Sequence, residues 1–172
     1  MTKKRSLPTR FPHKIFFRKL VLCLAGAALL YALPSFADAR EDAERIFALN
    51  AKLRPGTSLN VLNQLLGPPA NEHRVTGMEN LILYTWLHGE MGVEIYCTGD
   101  VAHRVSITLP LPSEREVPRA LDAITRRGRS QYGVMPAFDR TTGEYYWTGG
   151  GVRFGFSKYN ARTVRSTCIA LR

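Results

Sequence analysis

The sequence predicts an α+β protein in which helices pack on one face of an antiparallel sheet. Three observations carry this. Leu59, Leu62, Leu65 and Leu66 recur at helical spacing between Pro55-Gly56-Thr57-Ser58 and Gly67-Pro68-Pro69. Strand-like runs follow at residues 81–87, 93–98 and 101–109, separated by glycine turns. A comparable strand series then returns at residues 144–148, 152–157 and 163–171.

The start of the chain reads as an export signal. Residues 1–19 hold seven Lys and Arg and no acid, residues 20–33 are apolar, and Ser35-Phe36-Ala37 offers small residues where a signal peptidase reads. The expected cleavage follows Ala37, with Ala39 as second choice. The apolar run is shorter than the ~20 residues that span a bilayer, which argues against an uncleaved anchor. Lipidation at Cys23 is disfavoured because Leu22 precedes it, where a small residue is needed. The expected location is periplasmic or secreted. Residues 1–37 are then leader, 38–110 a first unit and 111–172 a second.

The leader also accounts for most of the charge. The whole chain carries +10, with 24 Lys+Arg against 14 Asp+Glu. The leader takes seven of the cations and none of the acids, leaving seventeen against 14, or +3. The basic pI is therefore a property of the leader, and no nucleic-acid partner is expected.

Residues 38–53 read as a first helix, with Ala39, Ala43, Ile46, Phe47 and Leu53 on one face. In the second helix Ser58 or Thr57 suits the cap, and Gly67 suits the left-handed close. Residues 72–75 suit a short strand. The run at 81–87 is apolar on both faces. Alternation puts Val93, Ile95 and Cys97 on one side of the next strand, and Val101, His103, Val105, Ile107 and Leu109 on one side of the strand after it. Pro110-Leu111-Pro112-Ser113 marks the boundary between halves. Residues 118–127 read as a third helix with Gly128 as its stop, followed by irregular chain with a strand near 132–134.

The two strand series match in spacing. Val93 to Val105 and Val152 to Val164 each span strand, turn and strand, and Tyr84-x-Trp86 corresponds to Tyr145-x-Trp147. The expected architecture is thus two tandem units; the alternative is one longer antiparallel sheet with helices on one face.

The capped Gly56-Thr57-Ser58, then Val61, Leu65-Leu66-Gly67-x-Pro69 and Tyr84-x-Trp86 resemble the SmpA/OmlA (BamE-like) family of small outer-membrane-associated proteins. The resemblance covers residues 38–109. It implies two helices on a three-stranded sheet per unit, and a scaffold or binding role. The tandem arrangement is similar to β-lactamase inhibitor protein, in which two such units form a concave sheet that grips a partner. The second half lacks a Leu-Gly-x-Pro turn. Contact with the membrane is implied only through association with an outer-membrane complex.

No residue set reads as a catalytic centre, so an enzyme is not expected, nor is a metal or other cofactor. His73, His88 and His103 are not at metal-ligand spacing, and no helix follows Gly149-Gly150-Gly151, as a phosphate cradle would need. The expected function is non-catalytic binding of an envelope or secreted protein; the alternative is inhibition of an exported enzyme. The candidate contacts are Tyr96, Glu94, Arg153, Tyr84, Trp86, Tyr145 and Trp147, because aromatic and arginine side chains concentrate interface energy. Alternation singles out Tyr96, Glu94 and Arg153 as outward and Val93, Ile95 and Phe154 as core. Cys97 and Cys168, left after the leader, are expected to pair as a disulfide closing about 70 residues, worth roughly 4 kcal/mol in the entropy model.

Overall fold

A computed structural model of the chain describes residues 39–171 apart from Glu79. The expected leader, Cys23 and the expected first-choice cleavage site after Ala37 lie outside the described residues. Helix α1 (Ala39–Lys52) has Glu41 and Asp42 in its first turn and Lys52 in its last, as the helix dipole favours. Ala43, Ile46, Phe47, Asn50 and Leu53 are buried along its inner side. Helix α2 (Leu59–Leu66) is capped by Ser58, whose side chain accepts from the Val61 N–H at 3.5 Å. It ends at Gly67, at φ 81°, whose N–H donates to the Asn63 carbonyl. Its start is pinned to the sheet by the Leu59 N–H on the Asp100 carbonyl, 2.7 Å, and the Gly56 N–H on the Ala102 carbonyl, 2.7 Å.

Eight strands follow: β1 (Asn71–Arg74), β2 (Leu81–His88), β3 (Met91–Thr98), β4 (Val101–Pro110), then, after helix α3 (Glu116–Tyr132), β5 (Ala137–Asp139), β6 (Glu144–Gly149), β7 (Val152–Asn160) and β8 (Thr163–Ala170). They form one antiparallel sheet in the order β1-β2-β3-β4-β8-β7-β6-β5. Among the described residues, no helix is long and apolar enough to cross a membrane.

The expected pair of tandem three-stranded units is overturned. The chain builds a single eight-stranded sheet with three helices, which is the alternative the sequence left open. The reason lies at the centre. Strands β4 and β8 pair from Arg104–Ile169 through Pro110–Thr163, so the ladder runs unbroken where a boundary was expected. Leu111 continues the link, its N–H donating to the Arg162 carbonyl at 2.7 Å. The chain after residue 111 brings one helix, not two, and the short edge strands β1 and β5 extend the sheet at each end.

Three local expectations are corrected with it. Gly128 does not stop α3: the helix runs through it to Tyr132 and closes at Gly133, in the left-handed region at φ 75°. Tyr132 is therefore helical, and the strand of that region is Ala137–Asp139. A bulge at Tyr96/Cys97 pairs Tyr96 with Arg104 and Cys97 with Ala102, so Ala102 and Val105 point inward while His103 and Val101 are exposed.

All three helices sit on the same face. On α1, Phe47 packs on Phe154 at 4.8 Å between ring centroids, and the Asn50 amide donates to Ser166 Oγ at 3.0 Å. Helix α3 lays Gly128 on Trp147 and stacks Tyr132 on the same indole at 5.3 Å. The Trp86 indole N–H donates to the Gly67 carbonyl at the end of α2, 2.9 Å. Arg127 joins α3 to α1, pairing with Glu44 at 2.7 Å and lying over the Phe47 ring.

Candidate partner-binding face

With the helices on one face, the parity of each strand decides which side chains are left on the other. The paired residues Tyr84–Ile95–Val105–Cys168–Phe154–Trp147 make a row of the helix-covered core, all of them buried. One residue along, the row His73–Leu83–Tyr96–Arg104–Ile169–Arg153–Thr148 crosses seven strands on the open face. At ~4.8 Å per strand and ~3.3 Å per residue the open face measures roughly 34 Å by 26 Å, or about 900 Å². That matches the ~800 Å² per partner of a standard protein interface.

The expected contact residues divide between the faces. Tyr96, Glu94 and Arg153 lie on the open face. Tyr84, Trp86 and Trp147 do not: they are 6%, 4% and 3% exposed on the helix side and form core, which corrects their assignment as contacts. Their parity is that of Val93 and Ile95. Burial, followed by the Glu72 carboxylate, pushes the Tyr84 phenol above its usual range. Tyr145 shares the helix-side parity but sits near the sheet edge, half-exposed, stacked on Phe156 at 5.5 Å and meeting Phe138 at a tilt, 4.7 Å between centroids.

Charges on the open face are largely paired within it. Arg165 reaches Glu94 at 3.3 Å and lies over the Tyr159 ring at 3.7 Å. Arg153 bridges Glu144 at 2.8 Å and Asp139 at 3.3 Å, and lies over Tyr146 at 3.9 Å. The Thr141 N–H foremost, with Arg153 beside it, holds the Asp139 carboxyl below the usual carboxylate range. Arg104 was missed by sequence reading. It stands across from Tyr96, with its guanidinium 5.5 Å from the ring centroid. Among the described residues, no three His, Cys, Asp or Glu side chains gather as a metal site.

The expected disulfide is overturned as well. Cys97 and Cys168 are both buried, both on the helix side, and both free. Cys97 lies on β3 and Cys168 on β8, with β4 between them. Two strand spacings are roughly 10 Å, beyond the ~7 Å Cα separation a disulfide can close. Burial, then Asp100, pushes the Cys97 thiol up to about 11, and burial raises Cys168 too. Neither is a ready nucleophile. On a chain expressed from residue 38, which holds Cys97 and Cys168 but not Cys23, maleimide labelling should find no reactive thiol in the native protein and two per chain in denaturant without reductant. Absence of label in denaturant would restore the bridge.

No protein-family model and no curated protein sequence matches the chain. A solved structure, that of a cysteine-rich secretory protein from Staphylococcus aureus subsp. aureus Mu50, is similar at 8% identity and a TM-score of 0.41, over 67% of this chain and 43% of that one. The chain thus spans less than half the length of that protein.

Proposed function

We propose that the chain is an exported, non-catalytic module that binds an envelope or secreted protein through the open face of its sheet. One observation carries the reading. The row His73–Leu83–Tyr96–Arg104–Ile169–Arg153–Thr148 presents aromatic, aliphatic and arginine side chains on a face of interface size, while the helices contact only the other face. Such side chains dominate interface energies when a partner excludes water from them. The basic and apolar start of the chain supports export.

A photo-reactive phenylalanine analogue placed at Tyr96, and separately at Arg126 on the outer side of α3, tests this. Irradiation in cells should give a discrete crosslinked product from position 96 and none from 126. The captured partner should then bind Tyr96→Ala more weakly by about 1–3 kcal/mol. Crosslinks from 126 alone would move the interface to the helices and refute the reading.

A further inference from the structure

The two ends of the sheet differ. Strand β1 is polar, its residues Asn71, Glu72, His73 and Arg74 all exposed, and charge of this kind guards an edge against pairing. Strand β5 is apolar at its centre. Phe138 is 50% exposed, and Val134 and Met135, which lead into the strand, are exposed as well. The acid of β5 is folded back: the Asp139 carboxylate accepts from the Thr141 N–H at 3.0 Å and meets Arg153 at 3.3 Å. We propose that β5 is a joint to a second copy of this chain, pairing antiparallel with its own counterpart about Phe138.

The phase of the backbone selects that occupant. Gly150 and Gly151, at φ 57° and 75°, make a two-residue hairpin turn, so Gly149 and Val152 beside it are a hydrogen-bonded pair. Counting back by twos, Trp147 and Tyr145 turn their backbone groups to β7, and Thr148, Tyr146 and Glu144 turn theirs to β5. Ala137 and Asp139 face Tyr146 and Glu144, so their own groups point inward. The Asp139 carbonyl accordingly accepts from the Gly143 N–H at 2.8 Å. The N–H and C=O of Phe138 therefore point out of the edge. Two such residues related by a twofold axis satisfy each other with a pair of hydrogen bonds. In that register Ala137 faces Asp139 of the second copy, so like charges do not meet. The two Phe138 side chains stand side by side, each backed by Tyr145, which stacks on Phe156. The axis runs normal to the sheet and leaves both open faces on the same side, which offers a partner two sites at once. Three residues span about 10 Å, far less than a standard interface, so the pairing is weak and depends on concentration.

The test uses the protein purified after export of its full-length sequence, isotope-labelled for amide NMR. With rising concentration the amides of Ala137, Phe138, Asp139 and Arg140 should shift, and those of Asn71 to Arg74 should not. Sedimentation should stop at a dimer. Phe138→Lys should weaken association about tenfold or more while the spectrum away from β5 is kept. Ala137→Asp, which sets like charges opposite each other twice, should weaken it several-fold, and Ala137→Asn should not. A photo-reactive phenylalanine analogue at position 138 should crosslink in cells to a second copy. Absence of concentration dependence, or shifts confined to the open face or the helices, would overturn the joint. Growth beyond a dimer would replace it with head-to-tail pairing of β5 on β1, and crosslinking from 138 to another protein alone would give the edge a different occupant; either result refutes the proposal. None of these outcomes bears on the crosslink expected from position 96, so the open-face reading stands or falls separately.

Discussion

Phe154→Ala should lower the free energy of unfolding by about 3–5 kcal/mol, and Ile95→Ala by about 2–5 kcal/mol, the range for large-to-small changes in a packed core. Phe154 is 3% exposed and Ile95 is fully buried. The Phe154 ring meets Phe47 of α1 at 4.8 Å and Trp147 of the neighbouring strand at 6.0 Å, so its loss opens a cavity where helix and sheet join. Neither neighbour can collapse into the space without dragging its element along, and the cavity term therefore adds to the lost burial. Tyr96→Ala, one residue from Ile95 but on the open face, should cost under about 1 kcal/mol, since substitutions away from the core rarely exceed that. Arg153→Ala should fall between them, at about 1 kcal/mol, because it leaves Glu144 and Asp139 without their shared cation at a partly exposed site. Urea unfolding of the four variants reads all of these, with midpoints compared at constant slope. If Tyr96→Ala unfolds as early as Phe154→Ala, the two faces have been assigned the wrong way round.

Which parts of this were legible in the sequence follows from the range of the interactions. Helix α2 is fixed locally, by Ser58 at one end, Gly67 at the other and leucines between, and its limits can be read from a dozen residues. Strands β2 to β4 and β6 to β8 announce themselves by apolar runs between glycine turns. Pairing across the sheet is not local. Alternation correctly places Cys97 and Cys168 on one face, yet says nothing of the strand between them, and that strand decides whether a disulfide can form. Tyr84 and Trp86 share a parity with each other, but only the β2–β3 register, Tyr84 with Ile95, shows that it is the parity of the core. The bulge at Tyr96/Cys97 moves His103 out and Arg104 beside Tyr96, and a strict two-residue period misses both. Tandem units were expected because like strand series recur. The β4–β8 ladder that fuses them into one sheet joins segments about 60 residues apart and leaves no mark in either.

Gly128 is the remaining misread residue, and its reason yields the sharpest test of the packing. A glycine inside a helix costs about 1 kcal/mol relative to alanine, so Gly128→Ala at an unconstrained position would stabilise the protein. Here an added Cβ would fall on the Trp147 ring, against Cη2, Cζ2 and Cζ3. The indole has nowhere to go. Its N–H donates to the Val134 carbonyl at 2.9 Å, and its faces meet Tyr132 at 5.3 Å and Phe156 at 5.2 Å. Forcing a methyl into such packing costs about 1–3 kcal/mol or more, which outweighs the helix gain. Gly128→Ala should therefore destabilise by about 1–2 kcal/mol, and Trp147→Ala alone by about 3–5 kcal/mol. In the Trp147→Ala background the obstacle is gone, and Gly128→Ala should become neutral or stabilising by up to about 1 kcal/mol. The difference between the two backgrounds is a coupling energy of about 1–3 kcal/mol, read from a double-mutant cycle in urea. An effect of Gly128→Ala that keeps the same sign and size in both backgrounds would show that α3 does not rest on Trp147 through this glycine.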